Sequence, residues 1–130
     1  MKKISILSID DEASFLGMIK QYFEPRGYEI DVASEGAEGL ELIRKKTYDV
    51  ALLDLKMGGM NGDEIMRSIK RAAPATRVIF ITAFSDSGKT QKRLTDEGAY
   101  AFVEKPVTSL KALEELVMKA AADKEQEEVC

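Results

Sequence analysis

Residues 4–14 read "ISILSIDDEAS", an apolar run that stops abruptly at Asp10, Asp11 and Glu12. The run has the length and composition of a buried strand. Nothing about a strand calls for three carboxylates at its end. Two carboxylates about 4 Å apart repel by roughly 4 kcal/mol at an effective dielectric near 20. Whatever offsets that repulsion must come from elsewhere in the chain.

Outward from this stretch the sequence alternates two kinds of segment. Short β-rich runs recur at 28–33 ("YEIDVA"), 49–54 ("DVALLD"), 77–82 ("RVIFIT") and 100–103 ("YAFV"), after the first at 4–9. Between them apolar residues recur at steps of three and four. Phe15, Met18, Ile19, Tyr22 and Phe23 predict a helix over 12–24, and Ala37, Leu40 and Ile43 one over 35–46 with Ser34 as its N-cap. Ile65, Met66 and Ile69 predict a third at 62–72. Leu110, Leu113, Leu116 and Val117 predict a last one at 108–122, capped by Thr108 or Ser109. Segment 86–97 is the weak member, with Leu94 its only large apolar residue. Such alternation implies a parallel sheet covered by helices on both faces. "VALLD" and "VIFIT" are nearly continuous in apolar residues, as doubly covered strands are.

The 130 residues fit one domain, expected over 1–122, with 123–130 as an acidic tail or the start of a linker. A net charge of −4 gives no general attraction to nucleic acid or anionic membrane. Cys130 is the only cysteine, so no internal disulfide forms, and a reducing cytoplasm is the expected compartment. "MKKISILSI" has two lysines before an apolar run, but three acids end that run too early for a signal peptide. No stretch approaches the roughly 18 apolar residues of a membrane helix.

Open α/β sheets bind ligands beyond the carboxyl ends of their strands. Here those ends carry Asp10 and Asp11 after the first strand, Asp54 after the third, Thr82 after the fourth and Lys105 after the fifth. Taken singly, each has a structural reading: a helix cap for Asp10, Asp11 or Thr82, a turn residue for Asp54, a solvated charge for Lys105. As a set they occupy four strand ends on one side. Adjacent strands lie about 4.8 Å apart, so neighbouring first and third strands would crowd three carboxylates into one space. A hard divalent cation turns that repulsion into attraction. Magnesium takes oxygen ligands, typically one or two carboxylates with a phosphate. The chain has no histidine and only a terminal cysteine, which leaves nothing for a softer metal. The acids therefore read as a magnesium site that handles a phosphoryl group.

"IDDE" after the first strand, "LLDLKMGGMNG" after the third, "ITA" at the fourth and "FVEKP" at the fifth resemble the receiver domains of two-component response regulators. The resemblance spans about residues 3–122. It implies a flavodoxin-like α/β fold: a doubly wound five-stranded parallel sheet, order 2-1-3-4-5, with five helices on both faces. It implies that Asp54 accepts a phosphoryl group from a phosphohistidine on a sensor histidine kinase or a histidine phosphotransfer protein. Asp11 would then bind Mg2+ directly, Asp10 largely through water, and the backbone carbonyl of Lys56 would complete the protein ligands. Thr82 and Lys105 would contact the phosphoryl oxygens, and Phe102 would move on activation. A downstream protein or a second copy would dock on the face formed by 85–122. A cis Lys105-Pro106 bond is expected as well.

Two features depart from the family pattern. Gly58 stands where a proline is usual, and Thr82 and Lys105 are 23 residues apart, one more than expected. The extra residue is expected within 85–90. Other functions fit less well. A phosphohydrolase with an Asp nucleophile usually carries a second Asp two residues later, where this chain has Lys56. A flavin carrier would need a Ser/Thr-rich phosphate loop after the first strand, and the acids there would repel flavin phosphate. No GxxxxGK[ST] is present for a nucleotide hydrolase. A receiver-like module that is never phosphorylated would have no need of all five groups.

Overall fold

The computed structural model describes residues 3–129, with side chains to residue 123. Five strands, β1 Ser5–Ile9, β2 Glu29–Ala33, β3 Val50–Leu53, β4 Arg77–Thr82 and β5 Ala101–Glu104, pair in parallel in the order β2-β1-β3-β4-β5. The expected order is the observed one. The helices between them are α1 Ala13–Phe23, α2 Gly36–Lys45, α3 Gly62–Ala72, α4 Lys89–Asp96 and α5 Leu110–Val129, with a 3-10 turn at Glu24–Arg26.

Alternation along each strand builds two apolar layers. Leu7 and Ile9 of β1, Ala51 and Leu53 of β3, and Val78 and Phe80 of β4 meet Leu40, Ile65, Met66, Ile69 and Leu94. Ile6, Val50, Leu52, Ile79 and Ile81 point to the other face and meet Ile19, Phe23, Leu113 and Val117. Helices α2, α3 and α4 thus cover one face, and α1 and α5 the other. Since β3 and the β4 core are buried on both sides, their sequences are apolar throughout. The chain leaves β1 for β2 in one direction and crosses to β3 in the other, which opens a crevice between β1 and β3 at their carboxyl ends.

Local details differ from the sequence expectation at helix ends. No side chain caps α2, whose N-cap position is Glu35, and Glu38 instead accepts the Ser34 N–H at 3.0 Å. Helix α4 begins at Lys89 rather than near 86, because Ser87 (φ 62°) and Gly88 (φ 83°) take the left-handed conformation first. Ser109 is the cap of α5, its Oγ accepting the Ala112 N–H at 3.0 Å. Helix α5 runs through residue 129, and residue 130 lies outside the described residues. Asp123 is tied to the sheet by the Tyr100 hydroxyl. No described helix is long and apolar enough to cross a membrane.

Candidate functional site

The register pairs Ile9 of β1 with Leu53 of β3, so Asp10 and Asp54 leave the sheet side by side at the crevice. Asp10 is 1% exposed and Asp54 7%. Two buried acids need a counter-charge, and the loop after β5 delivers one. Lys105 Nζ donates to Asp10 Oδ2 at 2.8 Å, to Glu12 Oε1 at 2.6 Å and to Asp54 Oδ2 at 3.3 Å, and lies 4.6 Å above the Phe15 ring. Lys105-Pro106 is cis.

Burial pushes the Asp10 carboxyl above its ordinary pKa, against the lowering effects of the Lys105 ammonium and the Glu12 N–H. At Lys105 burial works to lower the pKa, but hydrogen bonds to Asp10 and Glu12 outweigh it, and the amine is held above its usual value. The ammonium therefore stays charged while the carboxylates around it compete for it.

Of the acids expected to hold metal, Asp10 and Asp54 come together and Asp11 does not. Asp11 is exposed, and its Oδ2 accepts the Gly58 N–H at 3.3 Å. Glu12 stands nearer to the pair, with carboxylate oxygens of Asp10, Glu12 and Asp54 all within 4.8 Å of one another. Glu12 has extended backbone, φ −89° and ψ 105°, at the start of α1. Its place directly after Asp10 and Asp11 was the available signal for Glu12. An all-oxygen cluster in a chain without histidine suits a hard divalent cation.

Neither Asp10 nor Thr82 caps a helix, since Glu12 precedes α1 and Gly88 precedes α4, and their side chains, like that of Asp54, instead accept the N–H two residues on. Asp10 Oδ1 accepts the Glu12 N–H at 2.9 Å, and Asp54 Oδ1 accepts the Lys56 N–H at 3.3 Å. Thr82 Oγ1 accepts the Phe84 N–H at 3.1 Å. Lys56 turns its ammonium onto the Phe84 ring at 4.6 Å, so the loops after β3 and β4 meet over the crevice. Gly62 starts α3 directly beneath. A Cβ there would lie 2.3 Å from the Asp54 carbonyl oxygen, so only glycine lets α3 approach the acceptor loop this closely.

Thr82 is buried at the end of β4, and Phe102 of the neighbouring strand is half-buried. The Phe102 ring stacks on Phe80 at 5.0 Å. A cavity of about 30 Å³, room for a water-sized group, lies beside Thr82, Phe84 and Phe102 under the start of α4.

Residues 6–118 match the response regulator receiver domain model, and the chain belongs to that family. It is 37% identical over 117 residues to the response regulator ArlR of Staphylococcus saprophyticus, covering 90% of this chain and 50% of that protein. It spans about a quarter of the length of other matched relatives, which are named transcriptional regulatory proteins. A CheY-like receiver domain protein from Methanospirillum hungatei superposes with a TM-score of 0.89 at 29% identity, covering 97% of this chain and 99% of that one. The response regulator TrrA of Thermotoga maritima, solved in complex with Mg(2+)-BeF, superposes with a TM-score of 0.77 at 31% identity. There the coverage is 90% of this chain and 98% of that one. This is therefore a receiver domain of two-component signalling.

Proposed function

We propose that Asp54 accepts a phosphoryl group from a phosphohistidine on a sensor histidine kinase or histidine phosphotransfer protein, in a magnesium-dependent reaction in the cytoplasm. The observation that carries this reading is the ammonium of Lys105 poised between Asp10 and Asp54 at the crevice between β1 and β3. An Asp54 carboxylate oxygen attacks phosphorus, the phosphorus–nitrogen bond breaks, and the imidazole leaves with the electron pair. Asp10, Asp11 and Asp54 with the Lys56 carbonyl would hold Mg2+, which when bound neutralises charge on the transferring group. Lys105 supplies a second positive charge, and the buried Thr82 hydroxyl reaches a phosphoryl oxygen.

As Thr82 is drawn inward it vacates space that Phe102, which lines the small cavity beside it, can fill, and the face built from 85–122 rearranges to receive a downstream protein or a second copy. The T. maritima neighbour bound to Mg(2+)-BeF supports the same chemistry by likeness. An Asp-nucleophile phosphohydrolase gains no support, since Lys56 stands where its general acid would be and turns onto Phe84.

Incubation with a small phosphodonor and magnesium, read by intact mass, should add one phosphoryl group to the parent and none to Asp54→Asn. Full labelling of Asp54→Asn at another residue would overturn the assignment, and rapid turnover of many phosphoesters would favour the hydrolase.

A further inference from the structure

Helix α4 buries one side chain, Leu94, and ion pairs tie its last turn to α3. Arg67 of α3 donates to Glu97 at the end of α4 through Nε at 2.9 Å and Nη2 at 3.4 Å. Arg93 reaches the same carboxylate at 2.9 Å through Nη1 and Asp63 at 3.6 Å through Nη2. Arg67 Nη1 closes the ring to Asp63 at 3.8 Å. Two arginines and two carboxylates thus alternate around a closed circuit between the first turns of α3 and the last turn of α4. The Arg67 hydrogen bond holds the Glu97 carboxyl below its ordinary pKa, as a paired carboxylate requires. Isolated surface pairs contribute little, but a network of charges that shares partners contributes more.

Its position matters as much as its strength. Asp63 follows Gly62, which rests on the carbonyl of Asp54, so one side of the ring is anchored beneath the acceptor. The other side is Glu97, the C-cap of α4. The opposite end of α4 is different: Ser87 and Gly88 form a left-handed corner, and among the described residues Asp86 ties it, through the Thr90 N–H at 3.0 Å and the Thr90 hydroxyl at 2.5 Å.

We propose that Asp63, Arg67, Arg93 and Glu97 form an electrostatic latch that pins the C-terminal end of α4 to α3, so that α4 pivots there and rearranges mainly over 84–92. The pivot rests on the phosphoacceptor reading for its role in signalling, whereas the latch itself is a property of the unphosphorylated protein.

Hydrogen exchange separates the two. In unphosphorylated protein, Glu97→Gln should speed exchange across 93–99 about three- to tenfold, the range expected for losing two shared ion pairs. Raising salt to about 1 M, where the Debye length falls to roughly 3 Å, should do the same to the parent and little to Glu97→Gln. Arg67→Gln added to Glu97→Gln should cost little more than Glu97→Gln alone, since both act on one network. Unchanged protection at Ile65, Met66 and Ile69 will show that α3 is intact. Flat exchange over 93–99 in Glu97→Gln, or an equal salt response in parent and variant, would overturn the latch. With a phosphoryl mimic on Asp54, the parent should change over 84–92 only and Glu97→Gln through 99. A parent response already reaching 99 would overturn the pivot.

Discussion

Helices α4 and α5 flank the same edge strand, β5, and are held in different ways. Helix α5 buries Leu113, Val117, Ala120 and Ala121 against the sheet. It is also clamped from outside, where the hydroxyls of Tyr22 and Tyr28 donate to Glu114 at 2.8 and 2.9 Å and Arg26 stacks on Tyr22. Helix α4 buries Leu94 alone and relies on exposed ion pairs. A fully buried large apolar side chain contributes about 1.5–3 kcal/mol, whereas an exposed pair contributes at most about 1. The face around β5 therefore has one firm half and one loose half. The loose half follows Thr82 in the chain.

The largest expected effect separates these halves directly. Leu113→Ala should lower global stability by about 2–5 kcal/mol, seen as a drop in denaturation midpoint. Leu94→Ala removes a side chain just as buried, but α4 can open without the rest. Its loss should therefore appear mainly as exchange protection lost over 89–99, with a smaller midpoint shift. Equal midpoint shifts in the two variants would erase the distinction between the helices.

Much of this asymmetry was legible beforehand, since Leu94 stands alone in 86–97 and the other helices carry three or more large apolar residues. The sheet was legible for a related reason: strands buried on both faces are mostly apolar, and β3 and residues 78–81 of β4 are apolar throughout. Asp10, Asp54, Thr82 and Lys105 were visible because strand ends are fixed once strands are. Glu12 and Asp11 were harder. Which of two adjacent acids faces the crevice depends on the backbone of residues 10–12, and hydrophobic period says nothing about that. The late start of α4 was hidden similarly, because Ser87 takes positive φ without being glycine. The ring of Asp63, Arg67, Arg93 and Glu97 contains two i,i+4 pairs, but the links that join them span 30 residues and leave no local pattern.

A pH titration sharpens the account of α5. Hydrogen bonds from Tyr22 and then Tyr28 hold the Glu114 carboxyl below its ordinary pKa of 4.5. A depressed folded pKa means that the stability supplied by Glu114 is present above about pH 4.5 and is lost as pH falls through the lower folded value. Glu114→Gln should therefore be less stable than the parent at neutral pH, and the gap should close in acid. A gap that stays constant down to low pH would show that the clamp acts by shape and not by charge.

The smallest effects should come from two glycines in open space that differ only in backbone. Nothing lies within 4 Å of a Cβ built on either Gly17, inside α1, or Gly88, before α4. At Gly17 the backbone is helical, so Gly17→Ala removes conformational entropy from the unfolded chain and should stabilise by about 0.5–1 kcal/mol. Gly88 has φ 83°, where an L side chain costs roughly 1–2 kcal/mol, so Gly88→Ala should destabilise. The loss should concentrate in α4, because the left-handed corner at Ser87 and Gly88 aligns Asp86 with Thr90. Exchange over 86–92 should quicken while α5 stays protected. If Gly88→Ala instead weakened α4 and α5 alike, the two helices would be moving as one body, and the loose half would not be separable from the firm one.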